Sequence, residues 1–327
     1  MQLFFPQGHR LRTCRRIMNR SNIMEEIVQD QESIESYIQH VFDRGAKLIE
    51  YRLWDGLDIF RYKGWLKNFS SLEERLFAAL IIDRLIYRSN EHVKSMLVDL
   101  FTMCIPNSMR LNNDPFYQQN RNLWTRLCER RDYNIRLVNT NDDDKPSQSS
   151  GDLLNMVNHQ MNVKQNYTIY LHQIDGEYKN NVNTFILLDD MICTGEQMRG
   201  SLDQIKIENY PNARFYIAVC CACDQGINYI REKYPQVPIA YTEKLDVARH
   251  SFFNSIDFNN LPFKSKDELI AFYEEFSHNK GIGKSMLFGK GGLALAYAFE
   301  SSTPNASLPI LYYKTAKLNQ FLNKRGS

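Results

Sequence analysis

The sequence predicts an α/β protein in which a mostly parallel sheet is flanked by helices and preceded by a helical region. Three observations support this prediction. Apolar residues recur at helical spacing through the first 130 residues, and strand patterns alternate with helical patterns beyond them. The 327 residues are 43% hydrophobic and 24% charged, which is ordinary for a globular protein and excludes general disorder.

The N-terminal region is predicted to be helical from periodicity and from start signals. Ser71–Glu74 is a capping box, Asn90 suits a helix cap, and Pro115 suits a first helical turn. Residues 51–70 are aromatic and irregular, and Pro106 is expected to end a helix. The predicted helices are 24–50, 71–87, 90–103 and 115–130.

The region after residue 130 alternates between strands and helices, which favours a parallel sheet. Asp175-Gly176 is expected to start a turn, so residues 167–183 resemble a flexible hairpin. The predicted strands are 135–138, 167–174, 184–188, 214–223, 237–241, 293–299 and 308–312, and the predicted helices are 152–161, 196–207 and 265–277.

Charge and composition indicate where the protein is located and which kinds of partner it could bind. No apolar run approaches the roughly 20 residues that span a bilayer, so we expect no membrane segment. Seven cysteines without a disulfide framework favour a reducing cytoplasm. Residues 1–20 contain five arginines and no acid. This basic arm either contacts nucleic acid or is a flexible tail.

One segment carries recognisable chemistry. An apolar strand ends in two acids, and after two apolar residues a small-residue turn opens a helix. Carboxylates at a strand end can accept hydrogen bonds from ribose hydroxyls, and helix-start amides can bind a phosphate. The segment reads Phe185-Ile-Leu-Leu-Asp189-Asp190-Met-Ile-Cys193-Thr194-Gly195-Glu196-Gln197.

This segment resembles the ribose-phosphate signature of type I phosphoribosyltransferases. The resemblance implies a type I phosphoribosyltransferase-like fold in which Asp189 and Asp190 bind the 2′- and 3′-hydroxyls and serve as the catalytic pair. Residues 193–197 would then wrap the 5′-phosphate, and Mg²⁺ would be held indirectly by the two acids through the substrate. Cys193 and Gln197 replace the usual hydroxyl residues. The alternative is a structural corner whose acids only cap the helix.

In type I enzymes a loop after the first strand receives pyrophosphate, and residues 139–151 take that place here. Lys145 could neutralise diphosphate, and the amides of Ser149, Ser150 and Gly151 could bind its oxygens at a helix start. Ser150 could equally be only a helix cap.

Outer motifs extend the resemblance over roughly residues 50–313. Their order is similar to that of phosphoribosyltransferase-like proteins of bacterial conflict systems, which occur as retron effectors beside reverse transcriptases. The motifs are Trp65-Leu-Lys-Asn68-Phe69, Ser150-Gly151, Gly291-Gly292 and Pro304-Asn305-Ala-Ser-Leu-Pro309-Ile. The expected division is a basic arm at 1–20, a helical region at 21–130, a phosphoribosyltransferase-like domain at 131–313 and a tail at 314–327.

The resemblance implies a toxic antiphage effector that binds phosphoribosyl diphosphate or a nucleotide. It would act at C1′ by phosphoribosyl transfer or by glycosidic cleavage, and its expected partners are a reverse transcriptase and the RNA–DNA product of that enzyme. The alternative is a non-catalytic module that senses a nucleotide or associates with nucleic acid and signals through a protein partner.

Overall fold

The N-terminal part of the chain is helical, as predicted. The computed structural model describes residues 20–115, 117, 122–129, 134–140, 153–259 and 261–324. Of the predicted basic arm at 1–20, residues 1–19 therefore lie outside the described residues. None of the described helices combines the length and the apolar composition that crossing a bilayer requires. The helices of this part are α1 (Arg20–Glu50), α2 (Ile59–Leu66), α3 (Leu72–Arg84), α4 (Asn90–Asp99), α5 (Ile105–Leu111) and α6 (Leu123–Cys128).

Local signals explain most of these helix boundaries. The capping box at Ser71 is confirmed, since its side chain accepts from the Glu74 amide and Glu74 accepts in return. The cap of α4 is Ser89 rather than Asn90. Pro106 does not end the helix, which was a wrong prediction. A widened turn over residues 100–104, in which the Ile105 amide donates to the Leu100 carbonyl, precedes the proline and leads into α5.

A five-stranded parallel sheet forms the centre of the second half of the chain. Its spatial order is β3-β2-β4-β5-β6, and all neighbouring strands are parallel. The predicted α/β class with a parallel sheet flanked by helices is confirmed. The strands are β2 (Ile135–Asn139), β3 (Thr168–Tyr170), β4 (Thr184–Ile192), β5 (Arg214–Cys223) and β6 (Ile239–Leu245), and the helices are α7 (Ile174–Lys179), α8 (Glu196–Ile205), α9 (Asp224–Lys233), α10 (Val247–His250) and α11 (Lys266–Asn279).

Two predicted features of this half are wrong. The expected hairpin at 167–183 is instead the short strand β3 followed by α7. Glu177 of α7 forms an ion pair at 2.8 Å with Arg136 of β2, which anchors the helix against the sheet. The expected strand at 308–312 is a 3-10 turn that begins at Pro309, because proline lacks the amide that a strand ladder needs.

A second, two-stranded parallel sheet joins the two ends of the chain. Its strands are β1 (Ile86–Arg88) and β7 (Tyr297–Phe299). It is tied to the larger sheet because Arg88 Nη2 lies 2.6 Å from Glu243 Oε1 in β6, and Tyr297 donates to the same carboxylate at 3.0 Å. One cluster of buried apolar residues likewise combines residues 38–87 with residues 252–322. Within it, the Trp65 indole donates to the Ile310 carbonyl at 2.9 Å.

Buried tyrosines make the fold sensitive to alkaline pH. Burial raises the pKa of Tyr37 and of Tyr312 to about 12, and burial also raises the pKa of Tyr62, Tyr87 and Tyr273. Unfolded tyrosines ionise near pH 10. The unfolded state therefore loses protons first, so this stabilisation is complete below about pH 10 and falls as the pH rises above it. The contribution of Tyr37 and Tyr312 is lost by about pH 12.

We expect the free energy of unfolding to fall steadily between pH 9.5 and 11.5, and a urea titration at several pH values measures it. Tyr312→Phe removes one such group and should make the fall shallower than in the wild-type protein. A free energy of unfolding that stays constant over this range would contradict the prediction.

Candidate functional site

The site lies where the order of strands in the large sheet reverses. The chain leaves β2 towards β3 on one side, and leaves β4 towards β5 on the other. In open parallel sheets, ligands bind beyond the carboxyl ends of the strands at such a switch point. The pairing of β2 with β4 ends at Asn139 and Leu188, so Thr140 and Asp189 come next along the two strands. The topology therefore places the predicted acid pair at the position that the fold favours for ligands.

The two acids are buried, although the end of a strand before a turn would favour a solvent-facing position for both. Asp189 and Asp190 are only 4% and 5% exposed, because β4 continues past them to Ile192 and pairs with β5 there. Asp189 Oδ1 accepts from the Asp190 amide at 2.9 Å, and its Oδ2 accepts from Gln197 Nε2 at 3.4 Å. Asp189 therefore connects the strand end to the start of α8.

The alternation of side chains between the two faces of β4 is interrupted at the acid pair. The ladder between β4 and β5 lacks the Asp190–Cys220 pair, and Leu188 and Met191, three positions apart, belong to the same apolar cluster. Asp189 borders the cavity at the turn after β4. Burial raises the pKa of the Cys220 thiol, and the nearby negative charges of Asp190 and Asp189 raise it further. Both acids therefore lie near Cys220, and Asp189 also borders the cavity.

The turn between β4 and α8 has the shape that an anion site needs. Gly195 is the N-cap residue of α8 with φ +82°, and no side chain caps the helix there. A Cβ at Gly195 would lie 2.6 Å from the Gly226 carbonyl oxygen, and one at Gly226 would lie 2.4 Å from the Cys193 carbonyl oxygen. Two glycines in close contact therefore hold the turn against α9, and helix-start amides favour an anion.

A glycine-rich segment from later in the chain covers the turn. A cavity of about 70 Å³ is bordered by Asp189 and the turn on one side and by Lys290, Asn305 and Ala306 on the other. Lys290 Nζ forms an ion pair at 2.8 Å with Glu196 Oε2. Sequence reasoning used the neighbouring glycines and Pro304-Asn305 as family motifs but did not identify Lys290. The sequence pattern that could have indicated Lys290 is a lysine flanked by Gly289 and Gly291.

The buried cysteines of β5 stay protonated at neutral pH because their pKa values are raised. A hydrogen bond with Cys193 and burial both raise the pKa of the Cys223 thiol, and burial also raises the pKa of Cys221. Because only the thiolate is nucleophilic, these buried residues stay unreactive at neutral pH. Cys193, which replaces the expected hydroxyl residue, borders the cavity at the turn.

The predicted pyrophosphate loop lies outside the described residues. Its four candidate residues are Lys145, Ser149, Ser150 and Gly151. The described chain ends beside them at Thr140, which is 5% exposed, and its hydroxyl has no partner among the described residues. Its carbonyl accepts from Ser201 Oγ at 3.5 Å. This buried hydroxyl at the switch point was not identified from the sequence.

The fold and the candidate site together indicate the class of protein. A parallel α/β sheet with an acid pair and an uncapped helix start at its switch point is the arrangement expected of a phosphoribosyltransferase-like protein. A family model matches residues 62–321, which is most of the chain, and its description is PRTase-CE. The chain therefore belongs to the PRTase-CE family. Comparison with curated proteins and with solved structures gave no match.

Proposed function

We propose that the switch-point site binds the ribose 5-phosphate moiety of phosphoribosyl diphosphate or of a nucleotide. The protein would act at C1′ by phosphoribosyl transfer or by cleavage of the glycosidic bond. The observation that carries the proposal is the position of the acid pair beside the uncapped start of α8, at the carboxyl ends of β2 and β4. Membership of the PRTase-CE family supports the same substrate class.

Each group of the site has a role in this proposal. The carboxylates of Asp189 and Asp190 accept hydrogen bonds from the ribose hydroxyls, and the amides at the start of α8 bind the 5′-phosphate. Reaction at C1′ passes through an oxocarbenium-like state, in which positioning and electrostatic stabilisation suffice without a nucleophilic side chain. This fits a site whose buried cysteines have raised pKa values.

Magnesium fits this proposal as an ion held chiefly by the substrate. Among the described residues, no group of three or more His, Cys, Asp or Glu side chains is arranged to hold a metal. Mg²⁺ commonly needs only one or two carboxylates when substrate phosphates supply the other oxygens, and Asp189 at the cavity meets that need. When bound, Mg²⁺ would neutralise charge on the leaving diphosphate.

The size of the cavity favours a second candidate, a nucleotide-sensing module. Ligand sites commonly enclose about 300 Å³ or more, whereas the cavity at the turn is about 70 Å³. A ribose 5-phosphate is therefore larger than this cavity, and the segment that carries Lys290 forms one of its borders. A protein whose site opens only on a signal could bind a nucleotide and report it to a partner without turnover.

Labelled phosphoribosyl diphosphate and labelled nucleotides, each tested with and without Mg²⁺, separate the two candidates. Release of diphosphate or of free base supports the enzyme, whereas saturable binding without a product supports the sensing module. If the protein neither binds nor converts any of these compounds, the ribose 5-phosphate assignment is wrong.

We further propose that the protein is a restrained antiphage effector of the retron type, with a reverse transcriptase and its RNA–DNA product as partners. The resemblance of the outer motifs supports this context, and the small volume of the cavity, about 70 Å³, fits a restrained site. The arginines of the basic arm could hold the nucleic acid, and such contact weakens steeply with salt.

We expect the protein to co-purify with a co-expressed reverse transcriptase and nucleic acid. Deletion of residues 1–20 should remove the salt-sensitive part of the association, which a salt titration on an affinity resin measures. A protein that purifies alone and is harmless when expressed by itself would contradict the restrained-effector proposal. The ribose 5-phosphate site would not be affected by that result.

A further inference from the structure

Lys290 is placed over the start of α8 although it is distant from that helix in sequence. Its Nζ lies 2.8 Å from Oε2 of Glu196, the first residue of α8, and both side chains are about half exposed. Lys290 also borders the cavity that Asp189 and Gly195 line. The ion pair therefore bridges the covering segment and the turn.

The backbone of the covering segment holds Lys290 in this place. Gly289 and Gly291 have φ values of +67° and +69°, a conformation that other residues rarely adopt. A Cβ at Gly291 would lie 2.4 Å from Thr194 Cγ2, so the segment rests directly on the turn. The Lys290 amide donates to the Asn305 carbonyl at 2.7 Å. The position of the lysine is thus set by glycines on both sides of it.

The charges at the start of α8 would allow a bound phosphate to take the place of the Glu196 carboxylate beside Lys290. A carboxylate is favourable near a helix N-terminus, and a phosphate is favourable there for the same reason. Glu196 would repel a phosphate bound beside it, but its carboxylate is already held by Lys290. A phosphate carries up to two charges and can compete with a single carboxylate for the same ammonium group.

We propose that Lys290 is a binding residue for the 5′-phosphate and that Glu196 is the internal anion it leaves when the phosphate binds. This inference rests on the proposed function and deepens it. Without ligand, the Lys290–Glu196 pair closes the covering segment over the turn. With ligand, Lys290 contacts the phosphate, and the Glu196 side chain turns towards solvent.

The test is isothermal titration of inorganic phosphate and of ribose 5-phosphate into the full chain and its variants. Lys290→Met keeps the length of the side chain without its charge, and we expect it to weaken binding about tenfold or more. Glu196→Gln should strengthen binding several-fold. In the double variant, the gain from Glu196→Gln should be smaller than in the wild-type background, because much of that gain acts through Lys290.

Lys284→Met is the matched control, since Lys284 is exposed on the same segment and does not border the cavity. It should bind like the wild-type protein, whereas Lys290→Arg should retain most of the affinity because it keeps the charge. Melting temperatures within a few degrees of wild type show that each variant is folded.

The outcomes separate this inference from the proposed function. Wild-type binding that Lys290→Met leaves unchanged, or weaker binding by Glu196→Gln, would overturn the role of Lys290 and leave the ribose 5-phosphate site intact. Binding by Glu196→Gln but not by the wild-type protein would support the ion pair as a lock. Absence of binding by both would overturn the proposed function itself.

Discussion

Replacement of both acids, as Asp189→Asn with Asp190→Asn, is expected to reduce the affinity for ribose 5-phosphate about 100-fold or more. Hydrogen bonds to a charged group contribute about 1.5–3 kcal/mol each, and about 1.4 kcal/mol corresponds to a tenfold change in affinity. Asparagine keeps an accepting oxygen but loses the charge that makes each bond roughly twice as strong, so the two replacements together account for a change of about this size. Titration calorimetry measures the affinity, and an assay of diphosphate or base release measures any turnover.

The fold is expected to persist in this double variant. Asparagine has nearly the shape of aspartate, and an amide oxygen at position 189 can still accept from the amide of residue 190. Asp203→Asn is the matched control, because Asp203 lies near the far end of α8 and pairs with Lys233 instead of the site. A folded double variant with wild-type affinity would show that the acids do not bind ribose.

Gly195→Val is expected to abolish phosphate binding and to destabilise the protein. Valine rarely adopts the positive φ that this residue has, and such backbone strain costs about 1–3 kcal/mol. Its Cβ would also lie 2.6 Å from the Gly226 carbonyl oxygen, so the turn must shift. The backbone amides at the start of α8 would then no longer point towards one bound phosphate. Phosphate titration reports the binding loss, and thermal unfolding reports the loss of stability.

A reciprocal variant separates backbone strain from close contact. Gly226 has no positive φ, yet a Cβ there would lie 2.4 Å from the Cys193 carbonyl oxygen. Gly226→Ala should therefore weaken phosphate binding through contact alone. Gly200→Ala is the control within α8, because Gly200 has open space around its Cβ position and alanine favours a helix. Phosphate binding by Gly195→Val at wild-type affinity would exclude the turn as the anion site.

Features that depend on neighbouring residues were predicted well from the sequence. The capping box at Ser71, the apolar strands β4 and β5, and the helix that opens after Gly195 all appear as predicted. Each of them depends on side chains within about ten residues of one another, and a single chain displays such patterns directly. The order of acids, turn and helix belongs to the same class of signal.

Features that depend on distant partners were missed or misjudged. The segment at 174–179 is a helix whose Glu177 pairs with Arg136 of β2, and its local turn signal does not show this contact. Burial of Asp189 depends on pairing with β5, which begins at Arg214. Strand pairing and ion pairs between separate elements have no fixed spacing in sequence, so a local pattern cannot indicate them.

The sequence by itself determined the α/β class, the acid pair and the glycine turn, because each is encoded in one short run of residues. Only the tertiary structure decided that β2 and β4 bring these groups to a switch point and that Lys290 closes over them through Glu196. The physical reason is that the parallel order of strands and the path of a covering segment are set by packing across the whole chain. Lys290 comes close to the start of α8 only in the folded chain, because the two are far apart in sequence.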